Sequence, residues 1–283
     1  MNTQLPVVDD SIDNVGSSTW GYLKRHPAYW IAPLVVAIGL EVFFAYAEVP
    51  IAVIYLFPLF SFVIAYNRAS AKIEHEFMQQ FASANGFSYV LKGSLDGLDG
   101  ALFKVGRSRA VSDVVSGTFQ NYPISLFNYK YITGFGKSER VHPHTIYELQ
   151  FDITMPDMLL ENASYILFEE PLVSRISGKE LIKLEGDFNK YFSLSITKGY
   201  EIEALEIFTP DVMQELIAKA KNFSVEIIDS HLFIYDDRIV VAKQDLYDLY
   251  GLAQYFVEKL GPVLARMKPS TQAMEEVQAE MKS

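Results

Sequence analysis

Apolar residues crowd the N-terminal third of this chain. From Tyr29 to Tyr66 it reads YWIAPLVVAIGLEVFFAYA, then EVP, then IAVIYLFPLFSFVIAY, and the only formal charges are Glu41 and Glu48. Nineteen helical residues at about 1.5 Å rise span roughly 28 Å, close to the hydrocarbon thickness of a bilayer. Glu48-Val49-Pro50 splits the run, and a proline sits well at a helix start. The pattern predicts a two-helix transmembrane hairpin over residues 29–66. Ahead of it, residues 1–28 read as a flexible polar tail, rich in Asp near its start and ending in Trp20, Tyr22, Lys24, Arg25 and His26, a mixture suited to a headgroup layer.

Beyond residue 66 the period changes. Ile73, Phe77 and Phe81 recur every four residues and Gly86 follows, which predicts a helix over Ser70–Asn85 that continues the second apolar run as a stalk. FSYVL (87–91) and ALFKV (101–105) read as short strands separated by the turn SLDGLDG. Residues 118–134 and 144–154 predict a long hairpin joined by GFGKSERVHP. In its second arm Tyr147, Leu149 and Phe151 alternate with Glu148, Gln150 and Asp152, the period-two mark of a half-buried strand. SYILF (164–168) extends the sheet or forms a short helix, and FSLSI (192–196) is a strand. TPDVMQELIAKAKN predicts a helix with Thr209 as N-cap and Pro210 in its first turn. FSVEII and HLFIYDDRIVV form a hairpin turned at Asp229-Ser230. A last helix covers about 244–266, broken by Gly261-Pro262, and a polar tail fills 268–283. The fold class expected is α+β: the N-terminal hairpin, then a soluble domain over 67–267 with a mixed, mostly antiparallel sheet and several helices.

Charge decides where that domain belongs. Lys24 and Arg25 precede the apolar run, Arg68 and Lys72 follow it, and the loop between its halves carries only Glu48. The positive-inside rule then puts both termini and the domain in the cytoplasm. The chain holds 24 basic and 35 acidic side chains, a net −11, which repels phosphate backbones and argues against nucleic acid as a partner. With no cysteine there is no disulfide, thiolate nucleophile or thiolate metal site. The partners implied are the lipid bilayer and another membrane protein.

Candidate chemistry is sparse. His142 and His144 flank Pro143 at a two-ligand spacing, but no third ligand stands near, so VHPH reads as a solvated turn and no metal is expected. LDGLDG lacks the ligand spacing of a calcium loop. Gly106-Arg107-Ser108 lacks the closing glycine of a nucleophile elbow. Asn162-Ala163-Ser164 is a glycosylation tripeptide with no meaning in a cytoplasmic domain. Asp187 and Tyr191, a possible cleft pair, read better as a turn whose Phe188 and Phe192 pack inward. No cofactor motif is present. Within the hairpin, Glu41 is the ionisable group well inside the first half, with Tyr55 about level on the second. Either a neutral carboxyl bonds the Tyr55 hydroxyl, or Glu41 leans ionised toward the loop-side interface.

Several stretches resemble a known family. NGFSY after a helix, LFKVG, and above all LEGDFNKYFSLSI, YEIEALEIFTPDVMQEL and IIDSHLFIY are similar to the bacterial membrane proteins catalogued as domain of unknown function 3137. The resemblance covers about residues 20–265 and is most specific from Leu184 to Tyr235. It implies a short hydrophobic hairpin followed by a soluble domain, and it brings no reaction and no catalytic residue. The function expected is a non-enzymatic binding or scaffolding module at the inner leaflet. The alternative is a membrane-bound hydrolase or transferase with a dispersed site.

Overall fold

The computed structural model describes residues 19–46, 56–163 and 178–261. Three helices open it: α1 (Thr19–Arg25), α2 (Ala28–Tyr46) and α3 (Leu56–Asn85). Helix α3 runs unbroken from the apolar stretch into the stalk, as its continuous four-residue period predicts. Residues 19–25, expected within the tail, are helical instead, because Leu23 packs with Ala69 and Ile73 of α3. The expected hairpin is described only in part, since its turn and Tyr55 lie outside the described residues. Among those residues no helix is long and apolar enough to cross a membrane. Helix α2 is described as far as Tyr46, and the apolar part of α3 gives way to charge at Arg68.

Helix α3 ends as its sequence demands. Gly86 takes φ +67°, the Phe87 amide bonds the Ala82 carbonyl at 2.9 Å, and the Gly86 amide bonds that of Ser83 at 3.4 Å. This is the Schellman pattern, completed by the Phe81 and Phe87 rings at 6.0 Å. It turns the chain directly into the first strand.

Among the described residues nine strands form one fully antiparallel sheet in the order β1-β2-β3-β4-β9-β8-β5-β7-β6. They are β1 (Ser88–Lys92), β2 (Arg107–Phe119), β3 (Tyr122–Thr133), β4 (Arg140–Gln150), β5 (Met158–Asn162), β6 (Lys179–Ile182), β7 (Phe192–Thr197), β8 (Phe223–Ile228) and β9 (His231–Asp236). The α+β class with a large antiparallel sheet is as expected, and both predicted hairpins are present. Some assignments change. Ala101–Lys104 is a 3-10 turn rather than a strand, because Leu102 and Phe103 fold down onto the sheet. Strands β2, β5 and β6 have no counterpart in the reading of the sequence.

Helices α6 (Pro210–Ala220) and α7 (Lys243–Tyr255) join α3 over one face, while α4 (Phe188–Tyr191) and α5 (Glu201–Ile207) flank β7. The main core brings Phe77, Met78 and Phe81 of α3 against Leu126, Leu149 and Ile234, with Leu216 of α6 and Tyr250 of α7. Thr209 stands at the N-cap of α6, but its hydroxyl makes no capping bond; Pro210 and Asp211 start the helix. After Tyr255 the last helix widens into a π turn, Phe256–Leu260, so its regularity is lost before Gly261. The other face is covered by residues 95–105, where Phe103 meets the Tyr129 and Phe233 rings edge-on at 5.2 and 5.3 Å.

Gly86→Ala should cost about 1–2 kcal/mol in denaturant unfolding, since a Cβ there meets no neighbour and the penalty is the left-handed backbone alone. Gly86→Asn should cost less.

Candidate functional site

Two features set α2 and α3 apart from an ordinary domain. The first is their surface. Val35, Val36, Phe43 and Phe60 are each more than 60% exposed, and Trp30, Ile31, Ile38, Leu40, Val63 and Ile64 are exposed beside them. Between the two helices the small residues Ala37 and Ala65 are buried, which favours a close approach of the backbones. At the base of the pair Tyr29 packs with Leu23, Ala69 and Ile73, and the Lys72 ammonium lies 5.4 Å from the Tyr29 ring centroid.

The second feature is a polar seam that fastens α3 to the sheet. His75 of α3 bonds through Nδ1 to the Asp113 carboxylate. The Tyr89 hydroxyl donates to the same oxygen at 2.8 Å, and the Asn128 amide donates to the other at 3.3 Å. The chain continues through Thr145, whose hydroxyl donates to Asn128 Oδ1 at 2.9 Å and accepts from the Val240 amide at 2.8 Å. Glu74, next to His75 in α3, pairs with Lys130 at 3.1 Å. Asp113 reaches inward because β2 is irregular between Ser112 and Val115, with Asp113 itself at φ +56°. Burial, and then the bond to Asp113, push the Tyr89 phenol far above its ordinary value.

A buried acid that orients a half-exposed imidazole is also the geometry of a general base. Among the described residues no hydroxyl bonds the other His75 nitrogen, so the observed role is that of a staple between stalk and sheet.

On the opposite face Glu226 is fully buried. Its carboxylate accepts from the Ala101 amide at 2.7 Å and the Tyr235 hydroxyl at 2.6 Å, and it pairs with Lys179 at 3.4 Å. It pins the LDGLDG loop, where a Cβ on Gly100 would stand 2.6 Å from the Tyr235 hydroxyl. That loop is a turn, as expected, and its role is to cover the sheet.

The expected solvated turn at VHPH is corrected: His142 and His144 lie within β4, on one face, stacked at 4.7 and 5.5 Å on the ring of Tyr131. Pro143 is tolerated there because the β9 ladder begins only at Thr145. The His142 ring meets Thr133 Oγ1 at 2.7 Å and His144 Nδ1 meets the Asp236 carbonyl at 3.1 Å. Burial drives His144 down to about 4, so it is neutral, and among the described residues its Nε2 is buried without a partner. Among the described residues no three His, Asp or Glu side chains gather as a metal would need.

The remaining sequence candidates are placed as follows. Glu41 is half-buried on α2, and its suggested partner Tyr55 lies outside the described residues. Asp187 pairs with Lys190 at 2.6 Å in the open, beside half-open Tyr191, while Phe188 and Phe192 are buried with rings 5.1 Å apart. The Asn162 side chain is buried and donates to the Lys221 carbonyl at 2.7 Å. Arg107 spans Glu139 at 3.3 Å and the Phe135 ring at 4.9 Å. The residues that reading the sequence missed are His75, Asp113, Tyr89, Asn128 and Thr145. The available signal was an aspartate set between valines and serines in a strand-forming stretch.

No family model matches the chain, and no curated protein matches it. Among solved structures, the mycobacterial trehalose monomycolate transport factor A (TtfA) is similar at 12% identity and a TM-score of 0.46, over 64% of this chain and 94% of that one.

Asp113→Ala should cost about 3 kcal/mol, because it leaves the Tyr89 hydroxyl and the Asn128 amide unsatisfied in the interior. His75→Ala should cost about 1 kcal/mol, since that ring is half in water. A pH series tests a second buried acid. Burial raises Asp236 to about 7 from an ordinary 3.8, so the folded state holds its proton more tightly than the unfolded chain. Its contribution is complete below about pH 4 and is lost as pH rises through about 7. Relative to the wild type, Asp236→Asn should therefore gain stability across that window, measured by urea unfolding at each pH.

Proposed function

We propose that this chain is a membrane-anchored binding or scaffolding module. The α2–α3 pair is seated in lipid as a two-span hairpin over residues 29–66, and the sheet domain stands at the cytoplasmic surface. The observation that carries this reading is the belt of exposed large apolar side chains on α2 and on the N-terminal part of α3. Soluble surfaces scatter such residues singly, whereas a contiguous belt calls for an apolar surrounding. Three further points support it. Ala37 and Ala65, buried between the helices, are small residues of the kind that hold helices together in lipid. The basic residues lie at the base of the pair, and in the sequence only Glu48 is charged between its two halves. The resemblance to the bacterial membrane proteins of domain of unknown function 3137 implies the same arrangement, and membership of that family is part of the proposal.

A second reading, a membrane-bound hydrolase, draws on the His75–Asp113 pair. It requires a hydroxyl or a water at the free imidazole nitrogen. His75→Ala with an unaltered physiological activity would discard it.

The test uses the full chain. It should remain in the membrane fraction through an alkaline carbonate wash. Because no native cysteine exists, single cysteines report topology without background. In intact cells Glu48→Cys should react with an impermeant maleimide, and Lys137→Cys, on an exposed turn of the sheet domain, should react only after lysis. Release by carbonate, or labelling of Lys137→Cys in intact cells with protection of Glu48→Cys, would overturn the reading.

A further inference from the structure

We infer that the base of the helical pair is a binding site for anionic phospholipid headgroups, formed by Lys24, Arg25, Arg68 and Lys72. This rests on the membrane seating proposed above and deepens it. The four cations come from two separate segments, and one packing contact brings them together. Leu23 buries itself against Ala69 and Ile73, so the last turn of α1, with Lys24 and Arg25, is laid beside the turn of α3 that carries Arg68 and Lys72. Lys24, Arg25 and Arg68 are exposed. Lys72 lies over the Tyr29 ring and within 3.6 Å of Glu76. Glu74, on the same helix, is held by Lys130. In residues 19–46 and 56–73 the only acid is Glu41, far along α2. A positive collar therefore crowns a chain whose net charge is −11.

Its surroundings select the ligand. Exposed Trp30 and Ile31 follow Arg25 across the junction of α1 and α2, and exposed Ile64 and Tyr66 precede Arg68 within about one turn of α3. Cations thus adjoin apolar side chains on both segments. An anionic lipid presents a charged headgroup and hydrocarbon together, which matches cations set beside an apolar belt, and a nucleic acid does not. The tyrosine and tryptophan rings at the boundary suit the headgroup layer. Attraction of this kind is additive over basic residues near a negatively charged leaflet, and it is screened by salt.

The chain's two tryptophans, Trp20 and Trp30, stand on either side of Lys24 and Arg25 in the sequence and supply the probe. The full-length protein is reconstituted into vesicles of phosphatidylcholine with a minority of phosphatidylglycerol, and the bromines are placed on one lipid or the other. Quenching by brominated phosphatidylglycerol should exceed its mole fraction by a factor of about two to five and decline with salt. Arg25→Gln with Arg68→Gln should bring that factor close to one while quenching by brominated phosphatidylcholine persists. These side chains are exposed, so the variant is expected to fold, and circular dichroism checks that it does. Enrichment equal to mole fraction in the wild type would overturn the headgroup site and leave the membrane seating intact. Absence of quenching by either lipid would overturn the seating itself. Enrichment abolished by millimolar inorganic phosphate at constant ionic strength would show a site for free anions and would also overturn the proposal.

Discussion

The burial of Phe77, Met78 and Phe81 against the sheet is the interaction on which the rest of the molecule depends. Each is removed from water on the inner side of α3, and side chains of this size contribute roughly 1.5–3 kcal/mol apiece when buried. That stripe fixes the rotation of the helix. Once the rotation is fixed, His75 is turned toward Asp113 and Glu74 toward Lys130, so the polar seam forms as a consequence of the apolar one. The same rotation sets the face that Ala65 turns toward α2 and leaves Phe60, Val63 and Ile64 outward.

The two faces of the sheet are closed by different means. One is covered by helices over aliphatic and aromatic side chains. The other is covered by a short irregular segment, held down by Phe103 and tied by the backbone amide of Ala101 to the Glu226 carboxylate. An irregular cover leaves amides that a helix would satisfy internally, and the buried carboxylate supplies the missing acceptor. Lys179 and the Tyr235 hydroxyl complete its shell, which is what makes the buried charge tolerable. Among the described residues both faces keep buried polar atoms without partners: the Tyr147 and Tyr250 hydroxyls under the helices, their rings 4.9 Å apart, and the Tyr129 hydroxyl and His144 Nε2 on the other side.

Strands β4 and β8 were legible because apolar and polar residues alternate along them, and β9 because it is a short unbroken apolar run after the turn at Asp229-Ser230. Helix α3 was legible because its four-residue period never lapses. Strand β2 escaped because a buried aspartate and small polar residues interrupt its alternation, and the local kink that accommodates Asp113 is a tertiary arrangement. The segment 101–105 has strand-forming composition, but Gly100 allows an approach to Glu226 that no local pattern announces. VHPH was misread because a proline between two histidines suggests a turn, and the end of the β9 ladder is set far away in sequence. The collar was half legible. Its charges were visible as flanks of an apolar run, but their union depends on Leu23 meeting Ala69 and Ile73.

Helix α3 is 30 residues long, about 45 Å, and beyond Pro58 it contains neither proline nor glycine. It is therefore a single shaft with no joint between its lipid-proposed half and its core-forming half. A hairpin in a bilayer of unmatched thickness relieves the mismatch by tilting. In this molecule a tilt cannot be absorbed at a hinge, because the far half of the shaft is locked by three large side chains, a glycine-terminated end and two polar contacts. The whole sheet swings through the same angle, and its outermost strands sweep the longest arc. Membrane thickness would thus be converted into the orientation of a protein surface, as a dial turns its pointer.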